Sequence, residues 1–218
     1  MKSYKEKIDR YLGDRSFRNS LTFGCFLFLV SLIINYGAGI YATERASNYV
    51  NDIVLSNLPV YNVDGIFVYG PFVFWIFIAY LAAIEPRRIP FILKSVALFV
   101  IIRSFFVILT HLGPFPIQTE MDAGPNLLKM FTTGNDLFFS GHTGLPFLMA
   151  LLFWQYRKLA IFFVAVAIFF GAIVLMAHFH YSIDVLSAFF ITYTIYHLAR
   201  FFFEKDYLLF GDETQKAT

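Results

Sequence analysis

Charge is scarce in this sequence. Only 15% of its 218 residues are Asp, Glu, Lys or Arg, against 58% hydrophobic and 20% aromatic, which excludes an ordinary soluble domain of this length. Cysteine is nearly absent as well: Cys25 stands alone in an apolar run, so no intrachain disulfide, CxxC redox pair or cysteine-rich zinc site can form. Internal repeats, low-complexity stretches and a separate soluble domain are missing too. The net charge of +2 offers no basic patch, because the cations are sorted by side rather than gathered, and no nucleic-acid partner is expected. With a mean hydropathy of +0.64, what remains is an integral membrane protein whose immediate partner is the lipid bilayer.

Six apolar runs follow one another. The first, from Leu21 to about Tyr41, is too long for a signal-peptide core and lacks a small-residue cleavage site, so it reads as a retained span. The others run from about Ile66 to Ile84, Phe91 to His111, Ser140 to just before Arg157-Lys158, Leu159 to Ala177 and Ile183 to Phe203. Lys94 lies near one end of the third run, where it can snorkel, and Arg103 lies well inside it. Residues 1–20 then form an N-terminal segment, 21–203 a six-helix transmembrane domain and 204–218 a tail. With six spans, the N-terminal cations, Arg87, Arg88, Arg157, Lys158, Arg200, Lys205 and Lys216 fall on one side, which marks it as cytoplasmic and places both termini there.

The same topology puts His111, then Ser140-Gly141-His142, then His178, His180 and Asp184 at the outer ends of spans three to six. Ionisable groups at such places cost roughly 2 to 3 kcal/mol or more unless paired, so they are usually kept for function. If helical geometry extends back from Asp184 to His180, the i, i+4 spacing puts both side chains on one face. A carboxylate there fixes the imidazole tautomer and raises the basicity of the far nitrogen, as a nucleophilic or general-base histidine requires. The start of the fourth helix suits a phosphate: free N–H groups, the Ser140 hydroxyl, and Gly141 with no side chain to block approach. His197 reads as a hydrogen-bonded packing residue. Arg103 either pairs with an acid inside the bundle or contacts phosphate. Two other classes stay open. His142, His178, His180 and Asp184 could form a tetrahedral metal site if the turn between His178 and His180 is not helical. A channel or transporter would instead spread its charges along a path, whereas these cluster at one mouth.

Ser140-Gly141-His142-Thr143 together with His180-Tyr181-Ser182-Ile183-Asp184-Val185 resembles the third and fourth signature motifs of the sphingomyelin synthase family, a branch of the type-2 phosphatidic acid phosphatase superfamily. The stretch from Arg103 to Pro114, with Thr110 and Leu112, is similar to that family's second motif, and Ser56-Asn57-Leu58-Pro59 is a candidate for the first. Val174 stands where the general lipid phosphatase pattern has an arginine, which favours the synthase-like branch. The resemblance implies an all-α bundle of six transmembrane helices with an active site on the outer face. It implies transfer of a phospho-headgroup from a phospholipid donor to a lipid alcohol acceptor, with no cofactor and no metal. His180 would attack phosphorus with Asp184 orienting it, giving a phosphohistidine intermediate. His142 would serve as general acid and then general base, oriented by Asp136 six residues earlier. Arg103, Ser140, Gly141, Tyr181 and Glu120 would contact substrate, Glu120 being the candidate for a further acidic residue of the set. Lipid phosphatase or phospholipase C-like hydrolysis by the same residues is the alternative.

Overall fold

An apolar run in hydrocarbon can satisfy its backbone only by pairing its own N–H and C=O groups, and each of the six runs accordingly forms one helix. The computed structural model describes residues 4–119 and 138–211. Among them the order is α1 (Tyr4–Gly13), α2 (Arg15–Arg45), α3 (Asp64–Ile84), a 3-10 turn (Pro86–Arg88), α4 (Ile89–Leu109), α5 (Gly141–Leu152), α6 (Arg157–Met176), α7 (Ser182–Phe202) and α8 (Glu204–Phe210). Strands are absent from the described residues. Five helices, α2, α3, α4 with its 3-10 lead, α6 and α7, are long and apolar enough to cross a membrane. The remaining apolar helix, α5, departs from the expected span. Its 12 residues reach only about 18 Å, because the chain turns at Phe153–Tyr156 instead of continuing to Arg157.

Packing follows side-chain size. On α2 the buried positions Phe17, Gly24, Ser31 and Ala38 recur every seven residues, with Ala42 beside them. A seven-residue repeat of mostly small side chains lets α2 lie closely along α4. The short α5 lies at the centre, packed on α6 and α7, with Leu148, Met149 and Ala150 fully buried. Gly144 makes that approach possible: a Cβ there would stand 2.6 Å from the Phe99 ring of α4 and 2.9 Å from Thr192 Oγ1 of α7.

The two ends of the bundle are held differently. At the end where α2 and α4 finish and α3, α5 and α7 begin, the connections cross-link by main-chain bonds, Ser47 N to His111 O at 2.8 Å and Tyr61 N to Met176 O at 2.9 Å. At the opposite end, charged side chains do the locking. Lys94 does not snorkel as expected. It is 5% exposed and donates from Nζ to Asp206 Oδ2 at 2.5 Å and to Ser20 Oγ at 2.7 Å, because α8 folds back under the bundle and brings a carboxylate to it. Arg87 donates to the Gly211 carbonyl, and Arg88 donates to Tyr156 Oη at 2.6 Å while lying over the Phe153 and Phe210 rings.

A buried ion pair costs most when only one partner is removed. Asp206→Ala should therefore destabilise the detergent-solubilised protein by about 3 to 5 kcal/mol, with Lys94→Met/Asp206→Leu recovering most of the loss. Thermal unfolding of the three proteins checks this; a double variant as unstable as the single one would show that the pair is not coupled.

Candidate active site

The connection between α6 and α7 sets the position of the first histidine. α6 closes with Phe179 N bonded to Val174 O at 3.0 Å and His178 N bonded to Leu175 O at 3.0 Å, the pattern of a helix end that turns through a left-handed residue. That residue is His178, with φ of 61°, where glycine is usual. Its ring offsets the strain: Nδ1 lies 2.8 Å from Ile117 O and Nε2 3.1 Å from Leu58 O, fastening two surface connections to the turn. Phe179 then buries itself against Phe67, with ring centroids 4.6 Å apart, and His180 follows.

His180 and Asp184 do meet, though not along a helix. α7 begins at Ser182 with Tyr181 as its extended N-cap residue, so His180 lies outside the helix. Asp184, fully buried, reaches back from the first turn: its Oδ2 accepts Tyr181 N at 2.9 Å and lies 3.4 Å from His180 Nδ1. The carboxylate thus caps the helix and orients the ring at once. His180 Nε2 makes no hydrogen bond among the described residues.

The second histidine comes from the start of α5, where Ser140 N donates to Asp184 O at 3.1 Å and so joins the two motifs through the main chain. His142 stacks on Phe67 of α3 at 4.3 Å between centroids, and its Nε2 lies 3.2 Å from Phe67 O. Arg103 of α4 is 8% exposed and donates from Nε to Phe139 O at 2.7 Å. A Cβ on Gly141 would lie 3.5 Å from that Nε, so the guanidinium sits against the first turn of α5. Arg103, Gly141, His142 and His180 all line one cavity of about 210 Å³. Below them its wall is apolar, with Phe74 and Trp75 from α3, Phe99 and Val100 from α4, Leu145 from α5 and Phe170 from α6. A cationic group, a helix N-terminus and two imidazoles over an apolar floor suit a phosphate ester carrying a hydrocarbon part.

Residues 133–201 match the family model described as PAP2 superfamily C-terminal. The match supports the type-2 phosphatidic acid phosphatase superfamily. Curated proteins and solved structures gave no match to the chain. The PAP2-like stretch contains both histidine motifs and α5, α6 and most of α7. Arg103, Phe67 and the rest of the wall that α2, α3 and α4 contribute stand outside it and complete the cavity.

Several expected site residues are placed elsewhere. Tyr181 is 1% exposed and does not line the cavity; its hydroxyl donates to Gly113 O at 2.8 Å and accepts from Val50 N at 3.3 Å, which makes it a strut between connections rather than a substrate contact. Ser140 is fully buried with its hydroxyl accepting from Thr143 Oγ1 at 3.3 Å, and it makes no side-chain cap bond. His178 has both ring nitrogens on backbone carbonyls, and no group of three His, Cys, Asp or Glu suited to a metal occurs among the described residues. His111 lies at the same end of the bundle but packs on Tyr41, with centroids 5.6 Å apart. His197 is exposed rather than packed, edge-on to Tyr193 at 4.5 Å, because its face of α7 points outward. Glu120 and Asp136 lie outside the described residues.

One acid escaped the sequence reading. Asp52, in the connection after α2, is 7% exposed and accepts from Ser182 N at 2.7 Å, Val54 N at 2.8 Å and Leu55 N at 3.1 Å. It therefore pins that connection to the start of α7, two residues from His180. Burial raises its pKa, but the hydrogen bonds from Ser182, Leu55 and Val54 outweigh this and hold it below the ordinary 3.8. A depressed folded-state pKa gives stability that is whole above 3.8 and fades as pH falls through the lower folded value. The melting temperature of the wild type should thus drop on acidification through that window, while Asp52→Asn starts lower at neutral pH and shows a flatter acid limb. Parallel acid limbs would show that Asp52 does not anchor the loop.

Proposed function

We propose that this chain is a membrane-embedded enzyme that moves a phospho-headgroup from a phospholipid donor to a lipid alcohol acceptor through a phosphohistidine on His180. The observation that carries this reading is the single cavity in which His180, His142, Arg103 and the α5 N-terminus face an apolar floor. With Asp184 at its Nδ1, His180 has Nε2 left to attack phosphorus, forming the P–N bond as the P–O bond to the diacylglycerol breaks. Protonated His142 gives its proton to the departing oxygen. In the second half the acceptor hydroxyl gives its proton to His142, its oxygen bonds to phosphorus and the P–N bond breaks. Arg103 and the α5 N-terminus stabilise the charge on the phosphoryl oxygens. The 3.4 Å contact between His180 and Asp184 is long, as in many unliganded sites, and shortens once the ring carries positive charge.

Hydrolysis is the second reading, favoured by the match to a phosphatase superfamily. Water then replaces the alcohol in the second half, and the same residues serve. The cytoplasmic side is assigned to the end bearing Arg87, Arg88, Arg157, Lys158, Arg200 and Lys205, which puts both termini inside and the cavity toward the outer face.

The test supplies headgroup-labelled phosphatidylcholine or phosphatidylethanolamine to purified protein, with and without ceramide. Label moving onto ceramide supports the transferase; label released as soluble phosphocholine or phosphoethanolamine regardless of ceramide replaces it with the hydrolase. In either case His180→Ala should lower turnover by about 10³-fold or more while the melting temperature and membrane insertion are retained. Full activity in that variant, or loss of wild-type activity on chelation with recovery on adding zinc, would overturn the mechanism.

A further inference from the structure

One polar side chain of the cavity has no part in the chemistry above. Asn35 lies 20 residues into α2, within the apolar span, and lines the cavity half-buried. A primary amide in hydrocarbon is costly unless its N–H groups find acceptors. The contact described for it is weak: Ser104 Oγ stands 3.4 Å from Asn35 Oδ1, and its single hydrogen is already given to Val100 O at 2.8 Å. Whichever way the amide is turned, at least one of its two N–H groups has no partner among the described residues. An amide in the same seam as Ser31, Ala38 and Ala42 would ordinarily join α2 to α4. With its hydrogen given to Val100 O, Ser104 Oγ can take at most one weak bond from the amide at 3.4 Å, which leaves the other N–H to the cavity.

Its level in the cavity says what it faces. α2 and α4 run parallel, and Asn35 is beside Ser104, so it is level with Arg103, the residue after which Ser104 follows directly. Three of the helices that line the cavity pass from polar to apolar in the same direction. On α4 this is Arg103, then Val100 and Phe99; on α5, His142, then Leu145 and Pro146; on α2, Asn35, then Leu32. Asn35 therefore marks the junction between the phosphate end and the hydrocarbon end. In a glycerophospholipid that junction is occupied by acyl ester carbonyls, which are hydrogen-bond acceptors.

We propose that Asn35 is a specificity-determining residue that donates a hydrogen bond from Nδ2 to an acyl ester carbonyl of the lipid, while Leu32 and Trp75 receive the start of the chain. This rests on the reading of the cavity as a lipid phosphate-ester site. The experiment compares a diacyl phospholipid with its dialkyl ether counterpart, equal in headgroup and chain length, in mixed micelles with the purified full chain. The ether keeps the phosphate and the chains and lacks the carbonyls. Wild type should favour the diacyl lipid by about five- to tenfold in kcat/KM, mostly through KM, the effect of one hydrogen bond. Asn35→Leu should turn over the ether lipid as wild type does and bring the preference to within about twofold; Asn35→Ala gives the same reading if the leucine variant does not fold. A wild type that does not discriminate, or a variant that melts lower yet keeps the wild-type preference, overturns the assignment and leaves Asn35 as a helix-joining residue. Failure of wild type to turn over either lipid overturns the phosphate-ester reading itself.

Discussion

One buried carboxylate holds the site together. Asp184 takes the Tyr181 N–H, which would otherwise be an orphan donor at the start of α7, and lies at Nδ1 of His180, while its own carbonyl receives Ser140 N. Helix start, histidine ring and the beginning of α5 thus share a single residue with no exposure to solvent. Its second oxygen, Oδ1, has no hydrogen-bond partner among the described residues. A carboxylate so placed costs several kcal/mol in effective desolvation, and hydrophobic packing of similar volume would be cheaper. A group that the fold pays to keep, half satisfied and beside an imidazole, marks a candidate active site.

The helices were legible because hydropathy alone dictates them: an apolar run of about twenty residues has few ways to satisfy its backbone in hydrocarbon. Where tertiary contacts intervene, that rule stops short. The fourth run has enough apolar length, yet α5 ends at Leu152, since Phe153 packs on Phe163 and Phe210 and Tyr156 takes a bond from Arg88. Those partners come from 68 or fewer residues before and 57 or fewer after, and no local pattern announces them. Lys94 was misread for the same reason: snorkelling is the reasonable expectation until a carboxylate 112 residues away is folded against it.

Within the site, spacing found His180 and Asp184, His142 and Arg103, since ionisable groups among apolar residues are conspicuous. Direction was not legible. Tyr181 adjoins His180 in the motif, but it adopts extended backbone, φ −71° and ψ 157°, in which successive side chains point to opposite sides. Hence His180 faces the cavity and Tyr181 the connections behind it. Phe67 contributes through its carbonyl and ring face, neither of which its name in a sequence reveals. No motif sets Asp52 apart from other loop acids, and only the fold brings it to Ser182 N.

The distribution of polar groups accounts for where the proposed chemistry would sit. At the end bearing Lys94, Arg87 and Arg88, charge is consumed by rigid pairing with Asp206, Gly211 and Tyr156. At the other end polar groups are left aimed at a cavity, and the helices around it divide their loyalties: α2 packs along α4, α3 against α6, and both contribute wall. A small water-soluble phosphate ester would gain little from Phe74, Trp75 and Leu145. In the proposed reaction an amphiphile would bury its chain there and apply that binding energy to placing phosphorus before His180. On that reading the apolar floor is as much a part of the arrangement as the imidazoles, and the short α5 allows it: by starting at the cavity and ending inside the core, it offers a helix N-terminus to a phosphate while its own apolar length lines the space beneath.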